Sequence, residues 1–392
     1  MACGTTNVGR PTQNIPNFLT SIKNKPTKQM KKISLLFVFN FILLSMVFAE
    51  KKTCSIHLTI TDTTDGTVYI RDLNTMNIDT INFTKGEYTY TTKIAETTPF
   101  IIADERNNYQ LFFGDPNDKI NIKLEREKMQ VTFLDGSKSH ELFRSLVIAQ
   151  TPLQQQAQQL QQVAPRDTRG FADSMTAVMS KINESLKANF FNFLKTNSSS
   201  AVAAFVVHSS ISNDRNMRST AADSMYAQLT GFAKTCHYGL ETEKIIKKLK
   251  SVEVGTIAPD FTLADSTGKK KYTLSALRGK YVLVDFWASW CGPCKGEIPY
   301  MKTAYSTYHD KGFEIMSVSL DSKRDAWIDA LNMYKMPWIH VSDLKGFNSL
   351  VNDLYLVPSI PKTLLLDKTG KIIATDLRGK ELDKKLEEIF IK

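Results

Sequence analysis

Three kinds of apolar spacing follow one another along the chain. From residue 51 to about 136, apolar positions recur every second residue: Ile56, Leu58 and Ile60, then Ile120, Ile122 and Leu124, then Met129, Val131 and Phe133. Asp65-Gly66, Lys85-Gly86 and Gly114-Asp115-Pro116-Asn117 punctuate these runs. A period of two fits strands with one buried face, so this segment predicts an all-β module of short antiparallel strands, a sandwich or open barrel. From about 137 to 250 the period lengthens. Leu142, Leu146, Ala149, Leu153, Ala157 and Leu160 fall at steps of four and three, which is one face of a helix. Eight glutamines between Gln150 and Gln162 occupy its other faces as a solvated surface, and Pro152 is expected to kink or interrupt the stripe. Further helices are predicted over 172–194, 199–210 and 220–234. His208, in the apolar run 201–207, reads as a satisfied core histidine.

From Val252 onward strands and helices alternate, which predicts a central sheet covered on both faces. Tyr281–Trp287, Phe313–Ser319 and 363–366 read as buried strands, and 291–309, 323–335 and 380–389 as helices. Ile372–Thr375 follows the Asp367-Lys368-Thr369-Gly370 turn as an antiparallel edge strand. At 392 residues, two or three domains are the natural expectation. The reading is a leader over 1–49, a β-rich module over 50–136, a helical region over 137–250 and an α/β domain over 251–392.

The leader changes both the charge and the compartment. Met30-Lys31-Lys32 precedes an uncharged apolar run ending Val47-Phe48-Ala49, the pattern of a signal peptide with Met30 as start and cleavage after Ala49. The run falls short of the ~20 residues that a membrane span prefers. Cys54 lies five residues past Ala49, behind Glu50-Lys51-Lys52, so no lipidation pattern precedes the cut. The formal charge is +10, and residues 1–49 carry six basic residues and no acid, which leaves the mature chain near +4. No nucleic-acid footprint remains. An exported, periplasmic protein is expected, with membrane association left open.

Export makes the cysteines informative. Cys54, Cys236, Cys291 and Cys294 survive cleavage, too few to staple a scaffold but enough for one redox pair and two loners. Cys291 and Cys294 sit in VDFWASWCGPCKGEIP. Zinc would need a second cysteine or histidine pair, and no such cluster is present. A structural bridge over a two-residue loop would constrain the unfolded chain little. Redox chemistry fits the placement: Cys291 follows a buried strand and opens a helix, where unpaired N–H groups favour a thiolate. Such a setting lowers a cysteine pKa from about 8.5 to roughly 3.5–7.5. Cys294, one turn on, faces the core and can attack a mixed disulfide from within. Pro293 stands early in the helix, where its missing N–H costs nothing.

Trp290-Cys291-Gly292-Pro293-Cys294-Lys295 resembles the active-site motif of thioredoxin. Ala258-Pro259-Asp260-Phe261-Thr262-Leu263, the segment LSALRGK and YVLVDFWASWCGPC are similar to the exported thioredoxin-like proteins of the TlpA/ResA group, over about 140 residues from Val252. Some such proteins carry an N-terminal β module of unknown function, which the first region resembles more loosely. The resemblance implies a C-terminal thioredoxin fold and a thiol–disulfide oxidoreductase without a prosthetic group. It further implies protein thiol or disulfide substrates and a membrane-borne thiol electron donor. Ile360-Pro361-Lys362-Thr363 matches the cis-proline loop that faces the cysteines and pairs with substrate backbone, and Pro299 matches the proline that bends the active-site helix. Asp285, six residues before Cys291, stands where thioredoxin keeps a buried carboxylate. Glu297, three after Cys294, stands where ResA-like members keep an acid. Either can take the resolving thiol's proton.

These residues carry the expected roles. Cys291 is the exposed attacking thiolate and Cys294 resolves; Ile360 and Pro361 position substrate backbone, and Trp290 shields the pair. Gly292-Pro293 suggests a reductant, nearer roughly −270 mV than −120 mV. An oxidase or isomerase using the same residues is the first alternative. A ligand-binding protein with an auxiliary redox domain is the second. The Ala-Pro-Asp-Phe start also occurs in peroxiredoxins, but Val284 and Ala288 stand where their reactive motif needs Pro and Thr, so peroxidase activity is not expected.

Overall fold

The computed structural model describes residues 50–106, 108–163, 169–214 and 217–391; the expected leader lies outside them. The described residues fall into two compact units. The first runs to Asn213 and takes in Tyr226–Leu240; the second comprises Asp214–Met225 and everything from Glu241 on. Among the described residues no helix is long and apolar enough to cross a membrane.

The first unit opens with eight strands: β1 (Lys52–Ile60), β2 (Gly66–Asp72), β3 (Ile78–Phe83), β4 (Glu87–Ile94), β5 (Thr98–Ala103), β6 (Tyr109–Gly114), β7 (Lys119–Glu125) and β8 (Gln130–Asp135). They form two four-stranded sheets, β4-β1-β7-β8 and β3-β2-β5-β6. Ile56 and Leu58 of β1, Ile120 and Ile122 of β7, and Ile70, Phe100 and Phe112 of the second sheet share one core, which makes the module a sandwich. Two expectations fail here. The module is not wholly antiparallel: β1 and β7 pair in parallel from Ser55↔Lys119 to Ile60↔Leu124, because the chain traverses β2 to β6 before returning. Phe133 is 46% exposed rather than buried, and Lys123 stacks on its outer face.

Gly136 ends this module with φ +86, and a Cβ there would strike the Lys119 carbonyl oxygen, so only glycine fits the turn. Ser137 then accepts from the His140 N–H and caps α1 (Lys138–Val163). That helix runs through Pro152 without ending, contrary to one reading of the sequence. Neighbouring carbonyls also take side-chain donors: Thr151 Oγ1 donates to the Val147 carbonyl and Asn189 Nδ2 to the Ala149 carbonyl. Asn189 belongs to α2 (Arg169–Thr196), which pairs with α1. α3 (Ala201–Asn213) is largely buried, and its Phe205 packs edge-on against Phe113 of β6 and Tyr238. His208 is half-buried beside Tyr238, 3.3 Å from Ser212 Oγ. The expected helix over 220–234 is two, α4 (Ser219–Ala227) and α5 (Phe232–Thr235), because Gly231 takes φ +47 between them. α6 (His237–Ser251) follows.

The second unit is built on one seven-stranded sheet. Its strands are β9 (Thr262–Asp265), β10 (Lys271–Thr273), β11 (Tyr281–Trp287), β12 (Phe313–Ser319), β13 (Ile339–Ser342), β14 (Lys362–Leu366) and β15 (Ile372–Thr375), in the order β10-β9-β13-β12-β11-β14-β15. β11, β12 and β13 run parallel; the remaining pairs, including the β14–β15 edge, are antiparallel. Helices α7 (Gly292–Tyr308), α8 (Arg324–Tyr334), α9 (Leu350–Leu354) and α10 (Lys380–Phe390) complete it.

Alternation along the central strands divides this unit's core. Leu283 and Trp287, with Phe313, Ile315 and Leu365, join the apolar faces of α7, α8 and α10. Val282, Val284 and Phe286, with Met316, Val318 and Leu364, pack against Ala258, Phe261 and the α9 side. Successive strand residues point to opposite faces, so Asp285 must share the face of Leu283 and Trp287. That face lies under α7.

Candidate active site

Cys291 and Cys294 form a disulfide, with Cα atoms 5.3 Å apart. Cys291 is the N-cap of α7 in extended conformation, and its Sγ accepts the Cys294 N–H at 3.2 Å. A donor that the helix leaves unpaired is therefore aimed at the first sulfur, which stabilises it as a thiolate once the bond is reduced. Pro293 follows at the helix start, as expected. In the disulfide form both cysteines are buried, 4% and 2% exposed, so accessible area does not separate an outer from an inner sulfur; position in the helix does. A Cβ on Gly292 would meet nothing within 4 Å, so packing does not demand glycine there.

Beneath the helix three strands put a polar row into an apolar face. Ser317 of β12 and Thr363 of β14 pair with Asp285 on either side. Asp285 is 3% exposed. Burial pushes its carboxyl up to about 7; the Ser317 hydroxyl, donating to Oδ2 at 2.8 Å, pulls down, and the Glu297 charge pushes up again. Trp338 Nε1 donates in turn to Ser317 Oγ at 2.8 Å. Thr363 spends its hydroxyl on the Leu377 carbonyl at 3.1 Å.

Glu297 is half-buried on α7, and one of its oxygens accepts the Gly379 N–H at 2.8 Å, which ties the helix to the turn before α10. The adjacent Arg378 donates to the Pro361 carbonyl at 2.7 Å. The Ile360–Pro361 bond is cis, and Ile360 packs against the apolar cluster that holds both cysteines. Trp290 is 57% exposed, its ring 6.2 Å from Phe347, which is also exposed. Pro299 lies inside α7, which continues through it. The loop between β11 and α7 is fixed from below by buried Asp321, which accepts the Ser289 N–H at 2.9 Å, the Ser289 hydroxyl at 2.6 Å and the Ser319 hydroxyl at 2.7 Å.

Sequence reasoning missed Ser317, Trp338, Asp321, Phe347 and Arg378. For Ser317 a signal existed: it is a hydroxyl on the same parity as the apolar Phe313 and Ile315 of a buried strand. The other four are brought in by loops and helix ends, which periodicity does not place. Cys54 and Cys236 are free thiols, both buried in the first unit; burial pushes the Cys54 thiol up to about 12, with Asp118 and Asp115 adding to it.

The AhpC/TSA family matches residues 254–375, and a domain of unknown function (DUF4369) matches residues 54–143. A thiol-disulfide oxidoreductase ResA from Bacillus thuringiensis is 33% identical over 145 residues, which is 37% of this chain and 81% of that protein. ResA from Bacillus subtilis is 36% identical over 124 residues, 32% of this chain and 67% of that protein. The solved thioredoxin domain of a thiol-disulfide oxidoreductase from Bacteroides vulgatus is 36% identical, with a TM-score of 0.34 over 36% of this chain and 99% of its own. Through its C-terminal thioredoxin-like domain, the chain belongs to the ResA family of thiol-disulfide oxidoreductases.

Proposed function

We propose that the protein is exported and reduces protein disulfides through the Cys291–Cys294 dithiol. In this reading the Cys291 thiolate attacks a substrate disulfide and expels one substrate thiolate, leaving a mixed disulfide. Cys294 gives its proton to Asp285 and attacks Cys291, which releases the second substrate thiol and leaves the pair oxidised. A membrane-borne thiol donor then supplies two electrons to restore the dithiol. Ile360 and Pro361 hold the substrate backbone, Trp290 covers the pair, and Gly292 and Pro293 set its chemistry. The observation that carries the reading is a disulfide whose first sulfur caps a helix packed on the strand face that also carries a buried carboxylate.

Direction is tested by the redox potential, measured by equilibration with glutathione or thioredoxin. A value nearer roughly −270 mV than −120 mV is expected. A value at or above about −180 mV, the range of disulfide isomerases, would replace the reductase with an oxidase or isomerase. Export is tested separately: protein recovered from the periplasmic fraction should begin at Glu50 on N-terminal sequencing, and a soluble chain still beginning at Met1 or Met30 would refute it.

A further inference from the structure

We propose that Ser317 and Trp338 are positioning residues for the reaction, a two-link donor chain that aims a hydroxyl proton at the Asp285 carboxyl and holds it toward the carboxylate form. The argument starts from what each group can do. An indole Nε1–H only donates. At 2.8 Å from Ser317 Oγ it obliges that oxygen to accept, which leaves the single serine proton for Asp285 Oδ2, also at 2.8 Å. All three side chains are buried, at 6%, 1% and 3% exposure, so water does not compete for these bonds. A serine alone on a strand could instead turn its proton to a nearby carbonyl. Trp338 removes that freedom.

The groups facing Asp285 leave this chain as its source of stabilisation. Across β14, Thr363 is committed to Leu377. From α7, Glu297 repels the carboxylate, and the two cysteines carry no charge while oxidised. From β13, His340 packs beside Trp338 with ring centroids 5.6 Å apart, and burial pushes its imidazole down to about 4. It is therefore neutral where thiol exchange proceeds and adds no charge of its own.

The inference rests on Asp285 acting as the base, and the test separates the two. The Asp285 carboxyl is followed by carbon-13 NMR across pH in the oxidised full chain, and the pH–rate profile of mixed-disulfide resolution is measured in parallel. Ser317→Ala should move the carboxyl midpoint up by about one pH unit, a tenfold change in proton affinity. Trp338→Phe should move it the same way by less, and Ser317→Thr, which keeps a hydroxyl, should restore it. The rising limb of the rate profile should follow each shift. A midpoint unchanged in both Ser317→Ala and Trp338→Phe, or lowered in either, overturns the donor chain, even if both variants are slow, since a merely structural defect slows every pH alike. A midpoint that moves while the rate limb stays sustains the chain and removes Asp285 as the base.

Discussion

Asp285→Asn is expected to slow resolution of the mixed disulfide by roughly 10²–10⁴-fold, the span of a lost general base, while leaving the first attack nearly intact. The same substitution should make the oxidised protein more stable above neutral pH. Asp285 is held at about 7 when folded, against 3.8 when unfolded. Between those values the native state keeps a proton that the unfolded state has lost, so stability falls as pH rises from about 4 to about 7. Three pH units at about 1.4 kcal/mol each make the full cost about 4 kcal/mol above pH 7. Below pH 4 both states are protonated and the cost disappears. Denaturant unfolding of the oxidised forms should therefore show Asp285→Asn gaining on wild type from pH 4 to 8 and staying level with it below. Glu297→Gln should show less of either effect: one of its oxygens is spent on the Gly379 N–H, and its side chain is half exposed. Wild-type resolution rates in Asp285→Asn, measured by stopped flow, would pass the base role to Glu297 or to water.

A charge that burial penalises is also what made the site legible in part. Asp285 betrayed itself in sequence as a charge inside VLVDFW, where burial is dictated by its neighbours and the parity of the strand fixes the face. The central strands were equally plain, since β11 and β12 are buried along their length and mostly apolar. β9, β10 and β13 went unread because strands of three or four residues carry too few alternations to show a period; β15, equally short, is announced by the turn before it. The parallel β1–β7 pairing was hidden for a different reason: period two reports that a strand has a buried face, not which neighbour it finds or in which direction. Trp338 and Arg378 act across the fold, on residues 21 and 17 positions away in the chain, and no local pattern announces such a contact. Pro152 shows the converse error. The interruption expected there does not occur, and the helix continues through the proline.

The order of attack should be visible as an all-or-none difference between two serine variants. Cys294→Ser is expected to accumulate a mixed disulfide between substrate and Cys291, isolated as a species that reductant releases; Cys291→Ser should trap nothing and turn over nothing. The two sulfurs differ in what surrounds them, not in exposure. Cys291 is outside the first turn of α7, where the Cys294 N–H points at its sulfur and the positive end of the helix stabilises negative charge. Cys294 is inside that turn, its own N–H already directed at Cys291, while both sulfurs belong to the same apolar cluster. On this reading only the first is prepared to be a thiolate before substrate arrives. The second must shed a proton in place, and in the proposed mechanism Asp285 accepts it. In that mechanism substrate approaches past the exposed Trp290 ring and the Ile360–Pro361 loop and reaches the helix start first. Mass spectrometry of the trapped adduct assigns the linked cysteine directly. An adduct through Cys294 in Cys291→Ser, formed as fast as the one through Cys291, would reverse the roles and with them the need for a base beneath the helix.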